Sequence, residues 1–187
     1  MLKCFPGTYR DSEGATSSDD CVNCPAGFFC ETGLSAAPTG DDKKCDKGHY
    51  CPESIVLNPF LTEFDLLSDD VQGALNRRIG SFGPKQFPCP GGTYTDVIGT
   101  EKEADCIACP AYFYCPIGSF ETISCPEGFY CGDNTEVPLP CPKGTFHDVG
   151  TRATLSLLSE CTDCAEGFFC DGEGLTDPRK GRVIFFI

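Results

Sequence analysis

The stretch Cys106–Cys115, C-I-A-C-P-A-Y-F-Y-C, sets the spacing of most of this chain. Similar blocks occur at Cys21–Cys30 (C-V-N-C-P-A-G-F-F-C) and at Cys161–Cys170 (C-T-D-C-A-E-G-F-F-C). In each block two cysteines lie three positions apart, and a third follows six positions after the second. Self-similarity of this kind indicates a repeat protein made of small units.

A second motif, C-x-x-G-T-[YF], precedes each block and begins at Cys4, Cys89 and Cys141. It lies 17, 17 and 20 positions before the first cysteine of the block that follows. Two of the units continue with another C-x5-C element, at Cys45–Cys51 and Cys125–Cys131. All 16 cysteines belong to this pattern, and the third unit lacks its last pair.

The composition predicts a disulfide scaffold in an oxidising compartment. Among 187 residues there are 16 cysteines, 21 glycines and 15 prolines. Such cysteine density is typical of secreted or cell-surface proteins, whose small modules bury too little apolar surface to fold without cross-links. We therefore expect an extracellular or cell-surface protein. Since Met1 is followed by no apolar leader, we expect a mature fragment or an internal piece of a longer chain.

The predicted fold is a tandem of small disulfide-rich modules, with short irregular β-hairpins and little regular structure, stacked into an elongated rod. The glycine at the fourth position of each C-x-x-G motif suits a turn that needs positive φ. The predicted boundaries are 4–51 for module 1, 52–88 for a cysteine-free insert, 89–131 for module 2, 132–140 for a linker, 141–170 for a partial module 3 and 171–187 for a tail.

The insert has the best helix pattern in the chain, and we predict one or two short helices over residues 59–79. Ser68 can cap such a helix and Gly80 can end it. The helix either packs against the neighbouring modules or binds a partner. The predicted contact residues are the apolar side chains of the insert and the tail: Phe60, Leu61, Phe64, Val71, Leu75, Ile79, Phe185 and Phe186.

Paired aromatic residues recur inside the cysteine elements. We expect them to replace a conventional core, while stacking on carbohydrate or another ligand remains the alternative role. They are Phe28, Phe29, Tyr50, Phe113, Tyr114, Phe129, Tyr130, Phe168 and Phe169.

No motif predicts catalysis or a metal centre, and we expect a protein without enzymatic activity. Zinc ribbons bring two CxxC pairs to one site, but here successive CxxC pairs lie 85 and 55 positions apart. His49 and His147 are the only histidines, and they lie in non-equivalent positions. Catalytic and metal-binding residues are therefore predicted to be absent.

Calcium is the one cofactor that the pattern leaves open. Asp11, Asp96 and Asp148 follow the C-x-x-G-T-[YF] motif at the same distance in each unit. A carboxylate there can accept backbone N–H bonds and form a turn, or it can ligate calcium. The turn is the simpler role, and no cofactor is otherwise predicted.

The formal net charge of −14 makes nucleic acids and anionic membranes poor partners, because their phosphates carry the same sign of charge. The most apolar end of the chain, Val183–Ile187, is too short to cross a bilayer. We predict no membrane span in this segment.

The run C-P-x-G-T-[YF]…C-x-x-C-P-x-G-[FY]-[FY]-C resembles the cysteine-rich repeats of the ephrin-receptor-like type, which are related in style to EGF-like and tumour-necrosis-factor-receptor modules. The resemblance covers most of residues 4–51 and 89–170. It implies an extracellular module that acts through protein contacts.

The resemblance also implies a disulfide pattern, first cysteine to second, third to fifth and fourth to sixth. Carried over by position, the implied bridges are Cys4–Cys21, Cys24–Cys45, Cys30–Cys51, Cys89–Cys106, Cys109–Cys125, Cys115–Cys131 and Cys141–Cys161. Cys164 and Cys170 would then be left without partners.

The predicted function is structural: a non-catalytic segment of a larger surface, fibre or ciliary-appendage protein that associates with copies of itself or with neighbouring modules of the same parent chain. The alternative is a fragment of a receptor-type ectodomain that binds a protein ligand. The two differ in salt dependence, since an electrostatically steered receptor contact weakens sharply as salt is added.

Overall fold

The computed structural model describes residues 4, 7–11, 17, 20–31, 36–53 and 86–177. By their contacts these residues fall into two compact units. One unit draws on residues 1–88 and 95–106, and the other on residues 89–94 and 107–187. Each unit is built from the same element.

That element is a seven-residue turn, which we call the cysteine loop. Its eight copies begin at Cys4, Cys24, Cys45, Cys89, Cys109, Cys125, Cys141 and Cys164. The fourth residue has positive φ in every copy; it is glycine in seven and Tyr112, at φ 74°, in the eighth. Positive φ at this point reverses the chain, which brings the end of the loop back toward its first cysteine.

In six of the eight loops, the described chain leaves the reversal as a short strand that pairs with the residues just before the next loop. This gives six two-stranded antiparallel hairpins. They are β1 (Thr8–Arg10) with β2 (Cys21–Asn23), β3 (His49–Tyr50) with β4 (Phe87–Pro88), β5 (Thr93–Tyr94) with β6 (Ile107–Ala108), β7 (Phe113–Tyr114) with β8 (Ile123–Ser124), β9 (Phe129–Tyr130) with β10 (Leu139–Pro140), and β11 (Thr145–Phe146) with β12 (Thr162–Asp163). Short 3-10 turns lie at Asp41–Lys43, Glu103–Asp105 and Leu158–Glu160. The prediction of small disulfide-rich modules with short hairpins is confirmed.

Consecutive loops are joined by a repeating pair of backbone hydrogen bonds. In the first unit, the N–H of Gly7 donates to the carbonyl of Cys30, with an N···O distance of 2.9 Å. In return, the N–H of Cys24 donates to the carbonyl of Gly7, also at 2.9 Å. Gly27 makes the same pair of bonds with Cys51 and Cys45, at 2.8 and 2.9 Å.

The second unit repeats this pattern at three of its four junctions. The fourth residues Gly92, Tyr112 and Gly144 each donate to the seventh residue of the next loop, with N···O distances of 2.8 Å. Their carbonyls accept from the first cysteine of that next loop, at 2.9 Å. Because only backbone atoms take part, loops of different sequence can be added to one another in the same way.

Disulfides, rather than aromatic side chains, form the interior. Among the described residues the buried apolar side chains are cysteines, with Leu155 as the exception. The paired aromatics are half-buried, and Phe168 and Phe169 are 39% and 50% exposed. The prediction of an aromatic core is therefore wrong. The hairpins are so short that one face of each strand stays open to water, while the sulfur atoms lie inside the turn.

Most of the implied disulfide pairs are also wrong. Cys24–Cys45, Cys30–Cys51, Cys109–Cys125 and Cys115–Cys131 are absent, and Cys164 and Cys170 are not without partners. The cysteines of each C-x5-C element bond to each other: Cys24–Cys30, Cys45–Cys51, Cys109–Cys115, Cys125–Cys131 and Cys164–Cys170.

The cause of this local pairing is the chain reversal at the fourth residue. It brings the two cysteine Cα atoms of one loop to 5.8–6.1 Å, which is the ordinary span of a disulfide. The C-x5-C elements all have the same length because each one is the same closed loop.

The longer bridges join a loop to the segment that follows it. Cys4 is bonded to Cys21 and Cys141 to Cys161, over sequence separations of 17 and 20, as the resemblance implied. Cys89 and Cys106 are disulfide-bonded too, so all 16 cysteines are oxidised. The loops that begin at Cys4, Cys89 and Cys141 have a residue other than cysteine at their seventh position, so they cannot close on themselves.

The predicted helices in residues 59–79 lie outside the described residues. So do all eight predicted contact residues of the insert and the tail. The module boundaries and the elongated shape stay predictions.

Candidate interaction surface at the last cysteine loop

Three of the internal loops, those of Gly27, Gly92 and Gly128, are covered by another turn on the outer side of the fourth residue. A Cβ added to Gly92 would collide with the carbonyl of Asn134, and one added to Gly128 would collide with the carbonyl of Gly174. Asn134 and Gly174 belong to turns that come two loops further along the chain, and both have positive φ. The Cys89 and Cys125 loops are thus each packed against the next loop and against the turn that follows the second loop along.

These covering turns are held by backbone hydrogen bonds to the first cysteine of the loop that follows the covered one. The N–H of Asn134 donates to the carbonyl of Cys109, and the N–H of Gly174 donates to the carbonyl of Cys141, both at 2.8 Å. The contact is therefore a regular feature of the repeat.

The Cys141 and Cys164 loops lack this cover, and the Cys164 loop also has no following loop bound to it among the described residues. No described atom lies within 4 Å of a Cβ built at Gly144 or at Gly167. Within the described residues, neither the N–H nor the carbonyl of Gly167 has a backbone hydrogen bond. Phe168 and Phe169, which occupy the strand positions of the loop, pair with no described strand. The groups that join one loop to the next are exposed here.

An open groove of about 450 Å³ lies over this loop. It is lined by Lys143, Gly144, Cys164, Phe168, Phe169, Cys170 and Asp171. Phe113 and Tyr114, the equivalents of the two phenylalanines in an internal loop, are half-buried in the β7–β8 hairpin. The groove therefore combines unpaired backbone groups with an unusually exposed aromatic pair.

His147 is a structural residue that the sequence analysis did not identify. It is fully buried at the seventh position of the Cys141 loop, where five other loops have a cysteine. Its Nδ1 accepts the N–H of Gly128 at 3.0 Å, and its Nε2 lies 2.9 Å from the carbonyl of Arg152. These partners require a neutral ring with the proton on Nε2. The imidazole replaces the backbone carbonyl that accepts this bond in the other loops.

Thr95 fills the same seventh position in the Cys89 loop. It is completely buried, and its Oγ1 lies 3.0 Å from the Oγ1 of Thr100. The signal for both residues was present in the sequence, since Thr95 and His147 each lie six positions after a loop-starting cysteine. Aligning all eight loops, instead of three longer units, would have revealed it.

Glu160 organises the longer segment that closes the Cys141 loop. Its carboxylate accepts the N–H groups of Ser156 and Leu157, at 2.7 and 3.1 Å, and forms an ion pair with Arg152. The hydrogen bond from Ser156 lowers the pKa of Glu160, with further lowering by Leu157 and by the charge of Arg152, although burial opposes the shift. The carboxylate thus orders the three extra residues of this segment.

Asp148 has the turn-forming role that the pattern suggests for it. Its Oδ1 accepts the N–H of Gly150 at 3.0 Å. In the described part of the chain, no three His, Cys, Asp or Glu side chains come together in an arrangement that could hold a metal ion. The same part contains no helix long and apolar enough to cross a membrane.

No protein-family model matches this sequence, and no curated protein matches it significantly. The fold itself gives the coarse classification. Small hairpins cross-linked by many disulfides are typical of non-catalytic modules, and so many disulfides indicate an oxidising, extracellular or secretory environment.

Proposed function

We propose that this chain is a non-catalytic structural segment of an extracellular surface, fibre or ciliary-appendage protein, and that it associates with copies of itself through its cysteine loops. On this proposal the modules are a variant of the ephrin-receptor-like type, with the short disulfides closed within each loop.

The observation that supports the proposal is the uniform way in which loops are added. Five described junctions use the same pair of backbone groups, at N···O distances of 2.8–2.9 Å, although the side chains differ from loop to loop. At Gly128 the side chain of His147 replaces one of these groups. A repeat joined through its backbone can extend without a new recognition surface at every step. This is the property that a fibre or coat segment requires.

The abundance of disulfides supports an extracellular setting for that role. All 16 cysteines are oxidised, and short closed loops remain folded where little apolar core is available. The net charge of −14 favours solubility of the separate chains.

The test is sedimentation velocity of the oxidised full-length chain over a concentration series, at low and high salt. We expect concentration-dependent assembly that high salt leaves unchanged or strengthens, because it screens repulsion between acidic chains. A chain that stays monomeric and instead binds a different protein in a salt-sensitive 1:1 complex would support the receptor alternative and contradict the structural role.

A further inference from the structure

We propose that His147 makes one junction of the repeat sensitive to acid. A proton taken up by its ring releases the Gly128 N–H and opens the junction between the Cys125 and Cys141 loops. Junctions that use a backbone carbonyl as the acceptor stay closed. This response to pH goes beyond the proposed self-association and does not depend on it.

The hydrogen bonds of His147 are compatible only with the neutral ring. Nδ1 accepts the Gly128 N–H at 3.0 Å, and Nε2 donates to the Arg152 carbonyl at 2.9 Å. Protonation adds an N–H at Nδ1, which would then face the Gly128 N–H, and two donors form no hydrogen bond with each other. Since the side chain is fully buried, water cannot replace the lost bond while the junction is closed. The ring must therefore leave its site to carry a proton.

Neither nitrogen of this ring bonds to a charged side chain. In the described part of the chain, both nitrogens bond to backbone groups. The elements packed around His147 are its own loop, the Cys125 loop, the segment 148–163 and the turn 171–177, and their charged side chains are all exposed or half-buried. Those side chains are Lys143, Glu127, Asp148, Arg152, Glu160, Asp163, Asp171, Glu173 and Asp177. Water screens charges in such positions, so they do not substitute for the bond lost at Nδ1.

The other described junctions provide an internal comparison, because their acceptor does not titrate. At Gly92, for example, the N–H donates to the backbone carbonyl of Cys115 at 2.8 Å. Imidazole is the side chain whose charge ordinarily changes between about pH 5 and 8. The Cys125–Cys131 and Cys141–Cys161 disulfides lie on opposite sides of the junction at Gly128. Opening there consequently requires no reduction of either bridge.

The size of the response follows from proton linkage. An exposed imidazole is half protonated at about pH 6.5, so the open junction takes up a proton below this pH while the closed junction does not. The closed junction is therefore fully stable above about pH 6.5 and loses stability as the pH falls below it. Lowering the pH from about 7.5 to about 5.5 should raise the open fraction about tenfold. Glu160 stays ionised over this interval, because its pKa is lowered below the ordinary value of 4.5.

Amide hydrogen exchange, followed by NMR on the oxidised full-length chain, measures this opening residue by residue. After correction for the intrinsic exchange rate, we expect the protection of the Gly128 N–H to fall about tenfold from about pH 7.5 to about 5.5. The Gly92 N–H is the control within the same chain, and its protection should change by less than about twofold. Unchanged protection at Gly128, or an equal loss at Gly92, would overturn the proposed switch.

A pair of variants assigns the response to His147. In His147→Asn the side-chain oxygen can accept the Gly128 N–H but takes up no proton, so the pH dependence at Gly128 should disappear. The matched control is His49→Asn, which removes the other histidine, in the Cys45 loop, and should keep the tenfold loss. A loss that persists in His147→Asn, or vanishes in His49→Asn, would assign the response to another group. If His147→Asn does not fold, the comparison of Gly128 with Gly92 in His49→Asn still decides.

Discussion

At the scale of single residues, His147 shows how one side chain can take over a backbone role. It is completely buried and satisfies both the Gly128 N–H and the Arg152 carbonyl. We expect His147→Ala to lower the free energy of unfolding by about 1–3 kcal/mol, because the buried Gly128 N–H and the partly buried Arg152 carbonyl lose their partner. Denaturant unfolding measures this loss.

His49→Ala is the matched control for that prediction. His49 is half-buried, and its Nδ1 lies 3.2 Å from the carbonyl of Lys47, at the protein surface. Its replacement should change the free energy of unfolding by no more than about 0.5 kcal/mol. Equal losses for the two variants would show that His147 has no special role.

Tyr112 is the fourth residue of its loop and has a φ of 74°, a conformation that favours glycine. We expect Tyr112→Gly to raise the free energy of unfolding by about 1 kcal/mol, since it removes strain at a side chain that is 41% exposed. The comparison variant is Gly128→Ala, whose Cβ would meet the Gly174 carbonyl and which should be destabilised. A lower free energy of unfolding for Tyr112→Gly than for the unchanged chain, measured with denaturant, would refute the strain argument.

Glu160 predicts a pH dependence of stability. Its pKa is lowered below the ordinary value of 4.5, first by the hydrogen bond from Ser156. A lowered folded-state pKa means that the stabilisation is present above the unfolded-state value and is lost as the pH falls through the folded-state pKa. The free energy of unfolding should therefore decrease as the pH is lowered below about 4.5. Glu160→Gln should lose less stability over that interval, and identical pH profiles would contradict the assignment.

At the scale of the element, the cysteine loop is the repeating unit of the fold. The prediction of small hairpins followed from cysteine spacing and from glycine at the turn, both of which are local. The pairing of Cys24, Cys45 and their equivalents could not be predicted in the same way. A C-x5-C element can close on itself or across to its neighbour, and the choice depends on where the chain reverses.

The two kinds of bridge should differ in their contribution to stability. The Cys109–Cys115 bridge spans a separation of 6, and the Cys141–Cys161 bridge spans 20. Chain entropy alone predicts that serine at both positions costs about 2 kcal/mol for the short bridge and about 3 kcal/mol for the long one. Denaturant unfolding of the two double variants should show this order, and the reverse order would count against an entropic origin.

At the scale of the whole molecule, the series of loops explains why three long modules were inferred from the sequence. The loops that begin at Cys4, Cys89 and Cys141 look like the starts of longer modules. Their seventh residues are Arg10, Thr95 and His147, whereas the other loops have cysteine there. The backbone of these loops nevertheless reverses at the fourth residue, as it does in the other loops. The groove at Cys164–Cys170 could not be predicted from the sequence, because it depends on which described residues lie against this loop in the folded chain.

The central claim is that each C-x5-C element closes on itself, and tryptic mapping of the non-reduced protein tests it directly. Trypsin cuts after Lys44 and Lys47, which separates Cys45 from Cys51. The structure predicts that peptide 45–47 is disulfide-linked to peptide 48–77 through Cys45–Cys51. A link from peptide 45–47 to peptide 11–43, which contains Cys24, would contradict it.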